Sequence, residues 1–310
     1  MKKIISVFVA LCLCTALLCG CKGEGKKSDK LSIVTTIFPQ YDFARAIGGD
    51  QAEVIMLASP GSEVHSFEAT LSDIAKIEQC DLFIYVGGES ESWLDSVFEA
   101  MGSSCPEKIA LMDMVEPRLE QYIEGMEREN GEDEEEYDEH VWTSVKNCAV
   151  IAEEICSAMC KADPANEEYY RANAADIIAG LGELDKTFEE ITLNAKRKTL
   201  VFAERFPFAY FAADYGLDCY AAFKGCSSET EPSLATISFL TDKVKQSGLP
   251  AVFYIEFSTE KVADTICAAT GAKKLLFHSC HNVSRKDFEN GVTYIELMRQ
   301  NAENLREALN

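Results

Sequence analysis

From Leu31 to the C-terminus, short apolar runs alternate with longer stretches in which apolar residues recur every three or four positions. Leu31 to Ile37, Glu53 to Ala58, Asp81 to Val86 and Lys108 to Leu111 read as strands, with helices filling the intervals. A second set follows at Thr199 to Ala203, Leu217 to Ala221, Ala251 to Glu256 and Lys273 to Phe277, separated by helical patterns such as Pro232 to Ser247 and Thr259 to Thr270. This alternation predicts an α/β protein built from two parallel-sheet lobes. Between the two sets, Asp163-Pro164 opens a helix whose apolar positions Tyr170, Ala174, Ile177, Ile178, Leu181, Leu184, Phe188 and Ile191 share one face. Some thirty residues at a rise of about 1.5 Å make a rod of roughly 45 Å, long enough to join both lobes as a stiff backbone. Gly180 and Gly182 weaken its middle by up to about 1 kcal/mol each, so tertiary packing must hold it.

Ahead of this pattern stands a different one. Lys2 and Lys3 precede an apolar run from Ile4 to Leu18, which ends in Leu18-Cys19-Gly20-Cys21, the anatomy of a secretory signal. The run is too short to span a bilayer comfortably. Gly20 before Cys21 predicts cleavage that leaves Cys21 as the new N-terminus, able to carry lipid. The chain is therefore expected outside the cytoplasm, lipid-anchored to a bacterial cell membrane. The organisation that follows is a signal peptide over 1–20, a polar, glycine-containing tether over 21–30, a first lobe over 31–145, a connecting region with the long helix over 146–197, and a second lobe over 198–310.

Charge narrows the partners. The sequence carries 29 basic and 52 acidic residues; without Lys2 and Lys3 the formal net charge is −25. Nucleic acid and anionic lipid surfaces are excluded, and a cation is what such a surface concentrates. Glu124 to Glu139 holds ten acidic residues and one arginine, a solvated loop: either a plain charged excursion or a cation-collecting lip, since it ends at His140. Of 13 cysteines, four lie in or end the signal, and the remaining nine cannot all pair. Cys219 and Cys226 bracket a short segment and are the best local candidates for a bridge; Cys156 and Cys160, one helical turn apart, read as small packing residues.

Only four histidines occur, and three stand in informative places. His65 follows the second strand in the loop from Ser59, His140 closes the acidic loop before Val141-Trp142, and His278 follows Leu275-Leu276-Phe277 at the end of the last strand. Glu204 likewise follows Leu200-Val201-Phe202-Ala203. Ligands of open parallel sheets bind beyond the carboxyl ends of the strands, so these side chains can converge on one cleft between the lobes. Imidazole with carboxylate suits zinc, and a carboxylate-richer set shifts preference toward manganese.

Several segments, taken in order, resemble the zinc- and manganese-binding proteins of ABC importers. They are Thr35-Thr36-Ile37-Phe38-Pro39, then Pro60-Gly61 with His65, Glu68 and Leu71-Ser72-Asp73, His140-Val141-Trp142, Asp163-Pro164-Ala165-Asn166 with Tyr170 and Asn173, Tyr210-Phe211 to Tyr215-Gly216-Leu217, Glu231-Pro232-Ser233, and Tyr294 with Met298 and Asn301. The resemblance implies two α/β lobes joined by a long helix, with one metal ion held between them by four side chains. His65 and His140 match the first lobe's two ligands. In the second lobe, five residues before Tyr210, Arg205 stands where zinc-binding members have a histidine, and a guanidinium cannot ligate a cation. Glu204 beside it could. After the last strand, His278 stands where a carboxylate is usual. The expected set is His65, His140 and His278 with Glu204 or a water; His281 and Cys280 are the rivals to His278. Three nitrogens favour Zn2+, with Mn2+ as the alternative.

The function so implied is capture of Zn2+ and delivery to a membrane permease with its ATPase, by a monomer that is not an enzyme. A zinc-dependent hydrolase is the alternative from another class, although no H-E-x-x-H helix, G-x-S-x-G elbow or glycine-rich phosphate loop occurs. An adhesin or structural lipoprotein that kept the fold is a third.

Overall fold

The computed structural model describes residues 30–62, 67–120, 122–126, 136–227 and 231–310. The signal run, Cys21, the tether up to residue 29, His65 and most of the acidic loop lie outside the described residues.

The first sheet is formed by β1 (Leu31–Thr35), β2 (Ala52–Met56), β3 (Leu82–Tyr85) and β4 (Glu107–Ala110), in the order β2-β1-β3-β4. The second is formed by β5 (Thr199–Phe206), β6 (Asp218–Lys224), β7 (Ala251–Tyr254) and β8 (Lys273–Leu276), in the order β6-β5-β7-β8. All pairings are parallel and the two sheets share one topology. The two-lobe α/β expectation is met.

The helices follow the apolar spacing. They are α1 (Phe38–Gly48), α2 (Leu71–Gln79), α3 (Trp93–Met101), α4 (Val145–Ala162), α5 (Glu167–Leu193), α6 (Ala209–Tyr215), α7 (Leu234–Ser247), α8 (Lys261–Thr270), α9 (Arg285–Glu289) and α10 (Tyr294–Leu309). Thr70, Ser144, Ser233, Ser284 and Thr293 start α2, α4, α7, α9 and α10 by accepting a backbone N–H with a side-chain oxygen. None of the described helices is long and apolar enough to cross a membrane.

The connecting helix is α5, 27 residues and about 40 Å long. Its face of Tyr170, Ala174, Leu181, Leu184, Phe188 and Ile191 is buried, and it packs along α1, α4 and α10. Gly180 has a packing reason: a Cβ there would stand 3.0 Å from Ile295 Cδ1 on α10, whereas one at Gly182 would meet nothing within 4 Å. The largest core lies between the inner faces of both sheets and this helix layer, drawing Ile33, Phe43 and Ile84 from one lobe and Phe202, Phe253 and Phe277 from the other. Smaller clusters cover the outer faces, Val34, Ile77 and Phe83 in the first lobe and Val201, Val244 and Ile266 in the second.

Two local expectations change. All nine cysteines of the described body are free, and Cys219 and Cys226 do not bridge. The segment between them is strand β6 rather than a loop, and at about 3.3 Å per residue a strand carries them too far apart for a disulfide. Cys156 and Cys160 pack as buried neighbours with their sulfurs 3.9 Å apart. Further, β5 continues through Phe206 instead of ending at Ala203, which places Glu204 inside the strand.

Candidate metal centre

The carboxyl ends of both sheets converge on a small cleft. Arg205 comes from the end of β5, Gly225 from the turn after β6, Glu256 from the turn after β7, and Ser279 and His281 from the segment after β8. His140 enters from the first lobe, and Ser62 from the loop after β2. A second small cavity, lined by Thr36, Phe67, Glu91 and Trp93, lies against the same two histidines.

His140 is the most firmly held of these groups. It is 1% exposed, and one oxygen of Asp138, equally buried, accepts both its backbone N–H at 2.9 Å and its Nδ1–H at 2.8 Å. That bond occupies Nδ1 and leaves Nε2 as the nitrogen a metal would take by displacing the ring's other proton, the arrangement found behind metal-ligating histidines. Gly225 closes the other side, where a Cβ would stand 2.8 Å from the ring's Cε1. Burial opposes charge on the ring, but Cys226 and Asp138 outweigh it, and the His140 pKa rises well above the ordinary imidazole value. Burial also pushes the Cys226 thiol up.

His281 meets His140 edge-on, ring centres 5.6 Å apart, and leans on Trp142 at 4.9 Å. The Trp142 indole N–H donates to the Ser279 carbonyl at 2.9 Å, and the His281 carbonyl accepts from the Phe38 N–H at 3.3 Å. The buried Asn282 amide donates to the carbonyls of Ser59 and Ser62 at 2.8 and 2.9 Å. The segment after β8 is thus stitched to the first lobe's loops. Glu256 accepts from the Ser279 N–H at 2.8 Å and from its hydroxyl.

The expected ligands fall into different places. His140 lines the cleft; His278 and Glu204 do not. The His278 ring nitrogen Nδ1 accepts the Cys280 N–H at 2.9 Å, and its backbone is bracketed by the Asn301 amide, whose oxygen and nitrogen bond its N–H and C=O. Cys280 then takes a left-handed backbone, φ 60°, which reverses the chain and brings His281 forward. Glu204 turns to Ser258 and the Glu260 backbone before α8; burial raises its pKa. Plain alternation from Phe202 puts Glu204 on the Phe202 face, but an irregularity between Phe202 and Arg205 breaks the count, and Arg205 lines the cleft instead. Among the described residues, no group of three or more His, Cys, Asp and Glu side chains could hold a metal ion. His65 is outside the described residues, but Ser62 before it and Phe67 after it line the two cavities that adjoin the His140–His281 pair.

Asp138, Trp142 and Asn282 were not legible as site residues. Asp138 had one available signal, a carboxylate two positions before a histidine.

Residues 33–308 match the family described as zinc-uptake complex component A, periplasmic. The chain belongs to that family. Within it, the chain is similar to the high-affinity zinc uptake system protein ZnuA of Bacillus subtilis, 32% identical over 99% of this chain and 98% of that protein. It is also similar to the zinc-binding lipoprotein AdcA of Streptococcus pneumoniae, 30% identical over 99% of this chain but 61% of that longer one. Among solved structures, the metal-dependent lipoprotein YcdH of Bacillus subtilis superposes with a TM-score of 0.78 at 30% identity, covering 91% of this chain and all of that one. The Zn(II)-bound ZnuA-like domain of Streptococcus pneumoniae AdcA gives 0.75 at 29% identity, covering 90% and 99%. Zinc-uptake component A proteins are solute-binding proteins, so the cleft belongs to a carrier and not to an enzyme.

Proposed function

We propose that this chain captures Zn2+ outside the cytoplasm between its two lobes and hands it to the permease of an ABC importer, while lipid on Cys21 keeps it at the membrane. The observation that carries the reading is the pairing of His140 and His281, one from each lobe, with ring centres 5.6 Å apart. Zinc sits 2.0–2.1 Å from an imidazole nitrogen, hence about 3 Å from the ring centre, and two rings at a tetrahedral angle then have centres about 5 Å apart. His65, in the four residues between Ser62 and Phe67, supplies the third nitrogen in this reading. His281 takes the place first expected for His278, and Glu204 is left out of the shell. Three imidazoles favour zinc over manganese.

Metal analysis of the body beginning near Ser28, with zinc and manganese in competition, tests it. One equivalent of zinc is expected, lost with His65→Ala, His140→Ala or His281→Ala and kept with His278→Ala or Glu204→Ala. Failure to hold one equivalent overturns capture; loss in His278→Ala with retention in His281→Ala overturns the ligand set. Cys21→Ser should release the protein from the membrane with metal binding intact, and continued membrane association would remove the anchor from the mechanism.

A further inference from the structure

Each lobe carries the same short surface feature. Glu68-Ala69-Thr70-Leu71 leads from β2 into α2, and Glu231-Pro232-Ser233-Leu234 leads from β6 into α7. β2 and β6 are the corresponding edge strands of their sheets, so the two segments are equivalent in the shared topology. The match is local as well: Thr70 and Ser233 each accept the backbone N–H of the residue three positions on, and six positions beyond each leucine an aliphatic side chain, Ile77 or Leu240, is fully buried in the outer cluster of its lobe. Leu71 and Leu234, by contrast, are both 86% exposed, and Glu68 and Glu231 are exposed beside them. A single exposed leucine is ordinary on a protein surface. The same leucine at the same place in both lobes, three residues after the same carboxylate, buries almost nothing within this chain and fits a surface outside it.

We infer that Leu71 and Leu234, each with its glutamate, are paired docking knobs for the importer's membrane permease, whose two like subunits each offer an apolar pocket flanked by a basic side chain. This rests on the delivery reading. A helix that follows a parallel strand starts at that strand's carboxyl end, so both knobs stand on the face where the carboxyl ends of the two sheets converge on the cleft. Phe257, in the turn after β7 on the same face, is also exposed, and it holds a left-handed backbone, φ 61°, that is costly for an aromatic residue. Two equivalent knobs call for two equivalent sockets, which paired membrane subunits supply. Charge disfavours the other occupants: a second copy of this chain brings its own formal net charge of −23 and its own glutamates, and an anionic lipid surface repels the same groups. Release of the metal then takes place against the membrane channel, with one lobe seated on each subunit.

Cells lacking their own copy of the chain are given the full chain, wild type or variant, and zinc uptake is followed with a radioactive tracer under zinc limitation. Leu71→Asp and Leu234→Asp should each slow uptake by about tenfold, the double variant should be slower than either, and Glu68→Lys combined with Glu231→Lys should also slow it. Leu193, the last residue of α5 and 82% exposed, is the control, and Leu193→Asp should leave uptake unchanged. Purified variants should hold one equivalent of zinc with wild-type affinity and melt as the wild type does, which separates docking from capture and folding. A photoreactive benzophenone side chain at position 71 or 234 should cross-link to a permease subunit, identified by mass spectrometry, and one at position 193 should not. Wild-type uptake in the double variant, slowing that tracks a loss of zinc affinity, or adducts only to lipid or to a second copy of the chain overturns the inference and leaves zinc delivery standing. A wild-type chain that restores no uptake overturns delivery, and the inference with it.

Discussion

Gly225→Ala is the sharpest probe of whether the His140 ring is held for metal. The added methyl would stand 2.8 Å from Cε1, 3.0 Å from Nδ1 and 3.2 Å from the Phe206 carbonyl oxygen. Carbon atoms rest at about 3.5–4.0 Å, so the ring must retreat by about 0.7 Å or more. It has little room to do so, because Asp138 holds Nδ1 at 2.8 Å and Trp142 lies 5.3 Å from its centre. Overpacking of this kind costs about 1–3 kcal/mol. In the metal-free protein the ring can tilt and relieve part of that strain, but metal ligands tolerate only about 0.2 Å of misplacement. The cost therefore falls mainly on binding, and zinc affinity should drop by about 5- to 150-fold. Chelator competition reads the affinity, and a melting curve of the metal-free protein, shifted by no more than a few degrees, shows the fold intact. Unchanged affinity in a folded Gly225→Ala protein would refute the role given to His140.

Further outcomes are expected elsewhere around the cleft. Asp138→Asn keeps the shape but removes the charge behind His140, and should weaken zinc binding by about 10- to 100-fold in the same titration. Glu91, half-buried on the second cavity, accepts the Val86 and Gly87 N–H groups at 2.7 and 3.0 Å, and desolvation of its carboxyl pushes its pKa up to about 7 from an ordinary 4.5. The folded protein thus keeps a proton that the unfolded chain releases between these values, so stability falls as pH rises through this window. Glu91→Gln should stabilise the metal-free protein by up to about 3 kcal/mol above pH 7 and by almost nothing near pH 4.5; equal melting shifts at both ends would contradict the assignment. Trp142→Phe leaves the Ser279 carbonyl without its indole donor and should cost about 1–3 kcal/mol in denaturant unfolding, an unaltered midpoint being the contrary result.

Periodicity carried most of the fold. Eight strands, the connecting helix and its buried face are properties of residue spacing, because a strand or helix that must bury one side repeats its apolar residues with its own period, and the two sheets follow from strand and helix in alternation. Length and charge likewise determined a cation-seeking body of two lobes, and the order of short segments along the chain determined its family. The tertiary structure decided which side chains face the cleft. His278 and His281 are both near the end of β8, but only the reversal at Cys280 and the Asn301 bracket turn one inward to the backbone and the other toward His140. Glu204 and Arg205 are neighbours in sequence, and an irregularity in β5 sends them to different surroundings. Cys219 and Cys226 looked close until the residues between them proved to be a strand. Spacing reports how often a face recurs along an element, but at a strand's end the direction of a side chain depends on bulges, left-handed residues and contacts from distant loops, and these exist only once the chain is folded.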